Sequence, residues 1–137
     1  MAAGRDIASD HAGPKEKSEI FAYLEGLHEQ EIIDLGPMSE DRVNYPDYAK
    51  KVVQAVQQYP DARGILICGS GIGMSMVANR FKGIRAALCR DIEEAKLSRE
   101  HNDSNVLCMG ARLISFERMK ELVNVWLKTE FAQGRHA

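Results

Sequence analysis

Short apolar runs of the kind that form β-strands alternate with segments of helical spacing along the whole chain. The runs lie at Ile32–Leu35, Ile65–Cys68, Ala86–Cys89 and Val106–Met109, with a weaker one at Asp6–Ser9. Those around residues 65, 86 and 106 are apolar on both faces, as expected of strands that helices cover on both sides. This order predicts an α/β fold of three layers with a parallel sheet in the middle.

The intervening segments carry apolar residues three and four positions apart, the spacing that places side chains on one face of a helix. With 137 residues and no internal repeat or linker, the chain is predicted to be one domain, residues 1–137. Residues 129–137 lack such spacing and form a tail that is either frayed or docked elsewhere. The apolar stripes, which we expect to form the core, are Ile20, Leu24 and Leu27; Ala49, Val52, Val53 and Val56; and Met119, Leu122, Val123 and Trp126.

Charge and hydropathy argue against two classes of partner. The 18 basic and 20 acidic residues give a net charge of -2 and are spread along the chain, without the basic cluster that nucleic-acid binding requires. No apolar run approaches the roughly 20 residues that span a bilayer. The opening MAAGRDIASD has no apolar stretch of the length that a secretory signal needs. We therefore expect a soluble, cytoplasmic protein with neither a nucleic-acid nor a membrane partner.

The three cysteines predict reduced thiols and no disulfide framework. Cys68, Cys89 and Cys108 are odd in number, lack CxxC spacing and stand at the ends of apolar runs. Cys89 and Cys108 are expected to be ordinary core residues. No HxxxH pattern or Cys/His cluster suggests a metal site, so we expect no metal and no cofactor.

The strongest local feature is the sequence CGSGIG at residues 68–73, between a predicted strand and a predicted helix through Met76 to Arg80. Right-handed crossovers place the loops that follow parallel strands at one sheet edge, where open α/β sheets bind ligands. Gly69, Gly71 and Gly73 allow a sharp turn whose exposed N–H groups can surround an anion or a developing oxyanion. The spacing is neither a Walker A loop nor a full GxGxxG pattern. A purely structural tight turn is the alternative.

Cys68 stands at the mouth of this loop. A helix N-terminus lowers the pKa of a cysteine from about 8.5, which suits a base or a nucleophile. A small buried apolar residue at the end of a strand is the alternative interpretation. The position in the loop favours a function for Cys68.

Three further groups of polar residues could take part in chemistry. Asp10 and His11 follow the first predicted strand, although Asp10 could merely cap a helix. His101 lies in a loop with Asn102 that is rich in hydrogen-bonding side chains; such loops are common, but a histidine there can move protons near neutral pH. Arg112 and Arg135 could bind phosphate, or they could be solvated surface charges.

Taken together, these residues resemble the ribose-5-phosphate isomerase B family and its relatives that act on galactose 6-phosphate and allose 6-phosphate. The ordered set of matching blocks covers nearly the whole chain. The blocks are SDHAG at 9–13, YPDYAKKV at 45–52, GILICGSGIGMS at 64–75, GIRAALC at 83–89, REHNDSNVL at 99–107, GAR at 110–112 and GRH at 134–136.

The resemblance implies a Rossmann-like fold with a five-stranded parallel sheet and helices on both faces. It also implies a homodimer or tetramer whose active sites are built from two subunits, with the tail 129–137 docking on the partner. The implied activity is that of a cofactor-independent aldose–ketose isomerase acting on a small-molecule sugar phosphate. It would interconvert ribose 5-phosphate and ribulose 5-phosphate by moving a proton between C1 and C2 through a cis-enediolate.

By the same resemblance, Cys68 is the base, because the position at which a variant branch carries a glutamate is Met74 here. His101 would open the furanose ring by proton transfer. The amides of the glycine-rich loop would hold the enediolate oxygen; they belong to Gly69, Ser70, Gly71 and Gly73. The remaining contacts implied are Asp10 and Asn102 on hydroxyls, Tyr45 on the pocket wall, and His11, Arg112 and Arg135 on the phosphate.

Three departures from the family pattern accompany the match. Arg5 and Asp6 stand where the first strand should be apolar, Ser70 replaces a threonine, and the chain ends soon after Arg135. Three other interpretations remain open. They are an isomerase of a six-carbon sugar phosphate (allose 6-phosphate or galactose 6-phosphate), a non-catalytic phosphate- or nucleotide-binding module, and a subunit of a hetero-oligomeric isomerase.

Overall fold

A computed structural model describes residues 5–9, 32–34, 45–58 and 62–131, with side chains at 49–58 and 62–131. The strands within these ranges are β1 (Arg5–Ser9), β2 (Ile32–Asp34), β3 (Arg63–Cys68), β4 (Ala86–Leu88) and β5 (Val106–Gly110). The helices are α1 (Tyr45–Gln58), α2 (Ile72–Ala78), α3 (Ile92–Glu100) and α4 (Phe116–Lys128). In this described part of the chain, no helix is long and apolar enough to cross a membrane.

The strands form one sheet in the order β2-β1-β3-β5-β4, and every neighbouring pair is parallel. The predicted parallel α/β fold is therefore confirmed. β3 begins two residues before the predicted run, because the backbone of Arg63 pairs with that of Arg5 whatever its side chain. β4 is half-buried along its length, not covered on both faces as its sequence predicts, because it is an edge strand with β5 as its neighbour.

Alternate side chains of the central strands enter two separate cores, one on each face of the sheet. Ile65 and Ile67 of β3 pack with the buried stripe of α4, whose members are Met119, Leu122, Val123 and Trp126. Leu66 and Cys68 point the other way and pack with the stripe of α1, whose members are Ala49, Val52, Val53 and Val56. Both stripes are confirmed as core, whereas the stripe at Ile20, Leu24 and Leu27 lies outside the described residues.

Side-chain caps fix where α3 and α4 begin, just beyond the strands that precede them. Asp91 accepts a hydrogen bond from the Glu94 N–H at 2.8 Å, and Ser115 accepts one from the Arg118 N–H at 3.1 Å. Caps of this kind contribute about 1 kcal/mol each. Both helices start at the carboxyl edge of the sheet and run back toward its amino edge.

Gly64 lets α1 pack directly on β3. A Cβ at this position would overlap Val52 Cγ1 and would lie 3.2 Å from Val56 Cγ2. We therefore expect Gly64→Ala to lower the free energy of unfolding by about 1–3 kcal/mol, the usual cost of overpacking a core. Urea denaturation at one fixed protein concentration measures the change.

Val52→Ala provides the matched control, because it removes the atom that the new Cβ would meet. In the double variant Gly64→Ala/Val52→Ala the loss of stability should be smaller than the sum of the two single losses. Strict additivity would show that the close approach of α1 does not depend on the missing side chain.

Candidate active site

A backbone amide of the loop that follows β3 forms a hydrogen bond with the Cys68 thiol. The Gly71 N–H donates a hydrogen bond to Cys68 Sγ at 2.9 Å. Gly71 adopts a left-handed conformation with φ +82° and begins α2, a backbone geometry that glycine reaches without strain. Ser70 Oγ accepts a further hydrogen bond from the Ile72 N–H at 3.2 Å. Gly73 lies in the first turn of α2, so the predicted glycine-rich turn forms next to the thiol.

The end of β5 lies against this loop because Gly110 has no side chain. A Cβ on Gly110 would lie 2.6 Å from the carbonyl carbon and oxygen of Ser70. Two backbone hydrogen bonds fix the approach, from Ala111 N–H to the Cys68 carbonyl at 2.7 Å and from Arg112 N–H to the Gly69 carbonyl at 3.0 Å. The two loops therefore form one rigid surface at the carboxyl edge of the sheet.

Arg112 lies over the glycine-rich loop. Its Nη1 is 3.3 Å from the position that a Cβ on Gly69 would occupy. The absent side chain therefore makes room for a guanidinium group beside the glycine-rich loop. Cys68, Gly69, Ser70, Gly71 and Arg112 come together at the edge where the strand order predicts a ligand site.

His101 and Asn102 lie at the opposite edge. His101 ends α3, with its N–H bonded to the Leu97 carbonyl at 2.9 Å. The same loop continues to Asn105, whose carbonyl accepts from the N–H of Gly64 at the start of β3. Cys68 stands four residues farther along β3, roughly 13 Å away at the rise of a strand. Within one chain, His101 and Asn102 are therefore far from Cys68. The prediction that the site clusters after the strands does not hold for these two residues.

The loop at 101–105 is held by an arginine network that the sequence analysis missed. Arg85 Nε donates to the Asp103 carbonyl at 2.7 Å, and the Asn105 carboxamide accepts from the Arg85 N–H at 2.8 Å. Arg99 Nη1 contacts Asp103 Oδ1 at 2.8 Å. The spacing of Arg99 and Asp103, four positions apart, was the available signal, but surface helices carry many such pairs.

Several predicted site residues cannot be placed in this geometry. Asp10, His11 and Arg135 lie outside the described residues. So do residues 132–137, which make up most of the predicted tail 129–137. Tyr45 is placed only as the first residue of α1. Among the residues whose side chains are described, no three His, Cys, Asp or Glu side chains are grouped as a metal site would require.

The other two cysteines are buried core residues, as predicted. Burial raises the pKa of Cys89 to about 11; a hydrogen bond with Ser98 opposes the shift, and the negative charges of Glu94 and Asp91 add to it. Burial also raises the pKa of Cys108, with smaller contributions from Cys68 and Cys89. None of the three cysteines forms a disulfide bond.

These surroundings predict an order of alkylation by iodoacetamide at pH 8. A pKa of about 11 for Cys89 leaves about one thiolate in a thousand at that pH. Cys108 has no exposed surface and a raised pKa, so it should react at least as slowly. Cys68 should be modified first, because it keeps 5 % exposure and its sulfur accepts an amide hydrogen bond. Peptide mapping by mass spectrometry measures the three rates.

The rate for Cys89 should rise about tenfold per pH unit until the pH approaches 11, since deprotonation supplies the reactive form. Protein unfolded in urea is the control, in which all three cysteines should react alike. Equal labelling of Cys68 and Cys89 in the folded protein would contradict the assigned surroundings.

Known proteins of one family match this chain over nearly its whole length. The sequence model of the ribose/galactose isomerase family matches residues 6–137. Ribose-5-phosphate isomerase B of Escherichia coli is 46% identical over 129 residues, covering 93% of this chain and 85% of the relative.

Solved structures show the same likeness. Ribose 5-phosphate isomerase B of Thermotoga maritima aligns with a TM-score of 0.94 and 47% identity, covering 98% of this chain and 92% of the other. The Mycoplasma genitalium ribose-5-phosphate isomerase B, solved with bound ribulose 5-phosphate, aligns with a TM-score of 0.95 and 38% identity. That alignment covers 99% of this chain and 90% of the other.

Proposed function

This chain belongs to the ribose/galactose isomerase family, and we propose that it is an aldose–ketose isomerase that interconverts ribose 5-phosphate and ribulose 5-phosphate. The observation that carries the proposal is the Cys68 loop, in which a glycine-rich turn aims a backbone amide at a thiol 2.9 Å away. The ribulose 5-phosphate in the Mycoplasma genitalium relative supports the choice of substrate. The reaction as proposed uses neither a metal nor an organic cofactor.

Cys68 acts as the base. Its thiolate takes the proton from C2 of the open-chain aldose, the electrons of that bond form the C1=C2 double bond, and O1 gains the negative charge. A proton then passes from the O2 hydroxyl to O1, which leaves the negative charge on O2. The C2 carbonyl forms from O2 as the electrons of the C1=C2 double bond take the proton on sulfur at C1, which regenerates the thiolate. A hydrogen bond donated to sulfur favours a thiolate over a thiol, so the Gly71 amide assists the base directly.

The other loop amides serve the oxygen that becomes charged. Gly69 and Ser70 lie in the turn itself, and Gly73 lies in the first turn of α2, where amides have no intrahelical acceptor. Fixed amides of this kind stabilise an oxyanion without rearranging during the reaction. Arg112, beside the same loop, is suited to the phosphate or to the developing charge.

The substrate needs groups from two subunits. His101 and Asn102, which would open the ring and position a hydroxyl, stand at the sheet edge opposite Cys68 in the same chain. A homodimer in which the amino edge of one copy meets the carboxyl edge of the other would complete the site twice, once for each subunit. Asp10, His11, Tyr45 and Arg135 keep their predicted roles in substrate binding.

Two further expectations belong to the same proposal. Backbone pairing of β1 with β3 and of β2 with β1 supports the five-stranded Rossmann-like sheet. The three cysteines without disulfide bonds support a cytoplasmic location, because the cytosol keeps cysteines reduced.

Replacement of Cys68 tests the base. Cys68→Ala should lower the turnover of ribose 5-phosphate by about 10²–10⁴-fold, the usual contribution of a positioned general base. Cys89→Ala should keep nearly the parental turnover, because Cys89 lies in the core away from the loop.

Ribulose 5-phosphate formation is measured with EDTA present, and loss of parental activity in EDTA would argue for a metal. Faster turnover of allose 6-phosphate or galactose 6-phosphate would favour a six-carbon substrate.

Mixing two inactive variants tests the shared site. Cys68→Ala and His101→Ala should each be inactive alone, yet subunit exchange should restore about one quarter of the parental activity. Roughly half of the dimers are then mixed, and each mixed dimer has one complete site out of two. Sites confined to one chain would give no recovery at any mixing ratio. Native mass spectrometry, with one variant isotopically labelled, confirms that the subunits have exchanged.

A further inference from the structure

Arg99 is a buried cation whose guanidinium group donates hydrogen bonds to three oxygen atoms. It lies in the last turn of α3 and is 4 % exposed. Its Nη1 donates to Asp103 Oδ1 at 2.8 Å and to the Ser104 carbonyl at 2.6 Å, and its Nε donates to the Thr129 carbonyl at 3.0 Å. One guanidinium group therefore ties the loop at 101–105 to its own helix and to the end of α4.

The loop reverses direction between these anchors. Asp103 has φ +50°, a conformation that side-chain-bearing residues seldom adopt, and its N–H bonds to the Arg99 carbonyl at 3.2 Å. Ser104 is fixed as well, since its Oγ contacts Ser98 Oγ at 2.9 Å and accepts from Trp126 Nε1 at 2.8 Å. His101 and Asn102 lie at the turn between Arg99 and Asp103.

Stability alone is a weak reason for an arginine in this position. Burial of a charge is costly, and apolar residues of similar volume often stabilise a protein as well as a buried ion pair does. A planar guanidinium group can instead hold several oxygen acceptors in one fixed arrangement. The contacts of Arg99 all serve to fix the shape of the loop, which is what placement of a reacting side chain requires.

We propose that Arg99 is a positioning residue for ring opening, which holds His101 and Asn102 in the geometry that the sugar requires. The inference rests on the proposed function, in which His101 opens the furanose ring and Cys68 moves the proton. Arg99 contacts neither the Cys68 loop nor the carboxyl edge. Its loss should therefore impair ring opening and leave proton transfer at Cys68 intact.

The two steps can be measured separately with the two sugars. Ribose 5-phosphate is largely a closed furanose and must be opened before isomerisation. Ribulose 5-phosphate cannot close in this way, because the oxygen on C5 that would attack its C2 carbonyl carries the phosphate. In deuterated water, exchange of a C1 hydrogen of ribulose 5-phosphate thus requires the base but not ring opening.

Arg99→Met should lower the turnover of ribose 5-phosphate by roughly 10- to 100-fold, as misplacement of a catalytic group does. Exchange of the C1 hydrogen, followed by NMR at saturating ribulose 5-phosphate so that any loss of binding through Asn102 does not count, should stay within about twofold of the parental rate. Arg99→Lys keeps the charge but cannot reach all three acceptors at once, so it should fall between the parent and Arg99→Met. Lys96→Met is the matched control, because it removes an exposed ion pair with Glu100 on the same helix and should change neither rate.

Asp103→Asn replaces Arg99→Met if the latter does not fold, since the Asp103 side chain is 40% exposed. It should show the same selective loss, to a smaller extent. Equal loss of both rates in a folded variant, or loss of neither, would overturn the role of Arg99. If the parent protein itself neither isomerises ribose 5-phosphate nor exchanges the C1 hydrogen, the proposed function fails, and this outcome is visible before any variant is made.

Discussion

The parallel pairing of β3 with β5 is the constraint on which the site depends. Its register sets Cys68 beside Gly110 and Gly64 beside Val106, so the loops that follow both strands emerge together at one edge. A slip of one residue would replace Gly110 by a residue with a side chain and would move every buried side chain to the other face of the sheet. The register is held because both faces of the two strands are buried, in two different cores. The packing of the two cores thus fixes which residues lie next to the Cys68 thiol.

The same pairing sets the distance between Cys68 and His101, the two groups that the proposed reaction needs together. Each parallel strand needs its crossover to return to the amino edge, so the end of α3 and the loop at 101–105 must lie at that edge. The length of β3 then separates His101 from Cys68, and no change of side-chain rotamer removes a gap of a whole strand. In the proposed reaction a second copy of the chain is therefore a geometric requirement, and the rigidity of the loop at 101–105 matters because it must fit another subunit.

The sequence predicted the parts of the fold that depend on hydrophobic spacing. The stripes of α1 and α4 and the central strands β3 and β5 follow from burial patterns of period 3.6 and 2. The glycine-rich loop was also predictable, since three closely spaced glycines after an apolar run have few other uses. Strand order is not encoded in local spacing, which is why the edge position of β4 was missed. The burial of Arg99 was missed for a related reason, because it arises from the packing of α4, thirty residues later in the chain.

The three cysteines show why residue type alone does not decide which thiol is suited to act as the proposed base. Cys68 and Cys108 belong to the same core and both are buried, and burial by itself keeps a thiol neutral, as the raised pKa values of Cys89 and Cys108 show. What distinguishes Cys68 is the amide of Gly71, which reaches the sulfur only because that residue is left-handed. Because Gly69 has no side chain, Arg112 can lie over the loop. Because Gly110 has none, the backbone of Ser70 can lie against the end of β5. The contact between the Gly71 amide and Cys68 thus depends on backbone geometry, which a residue-by-residue comparison of side chains does not detect.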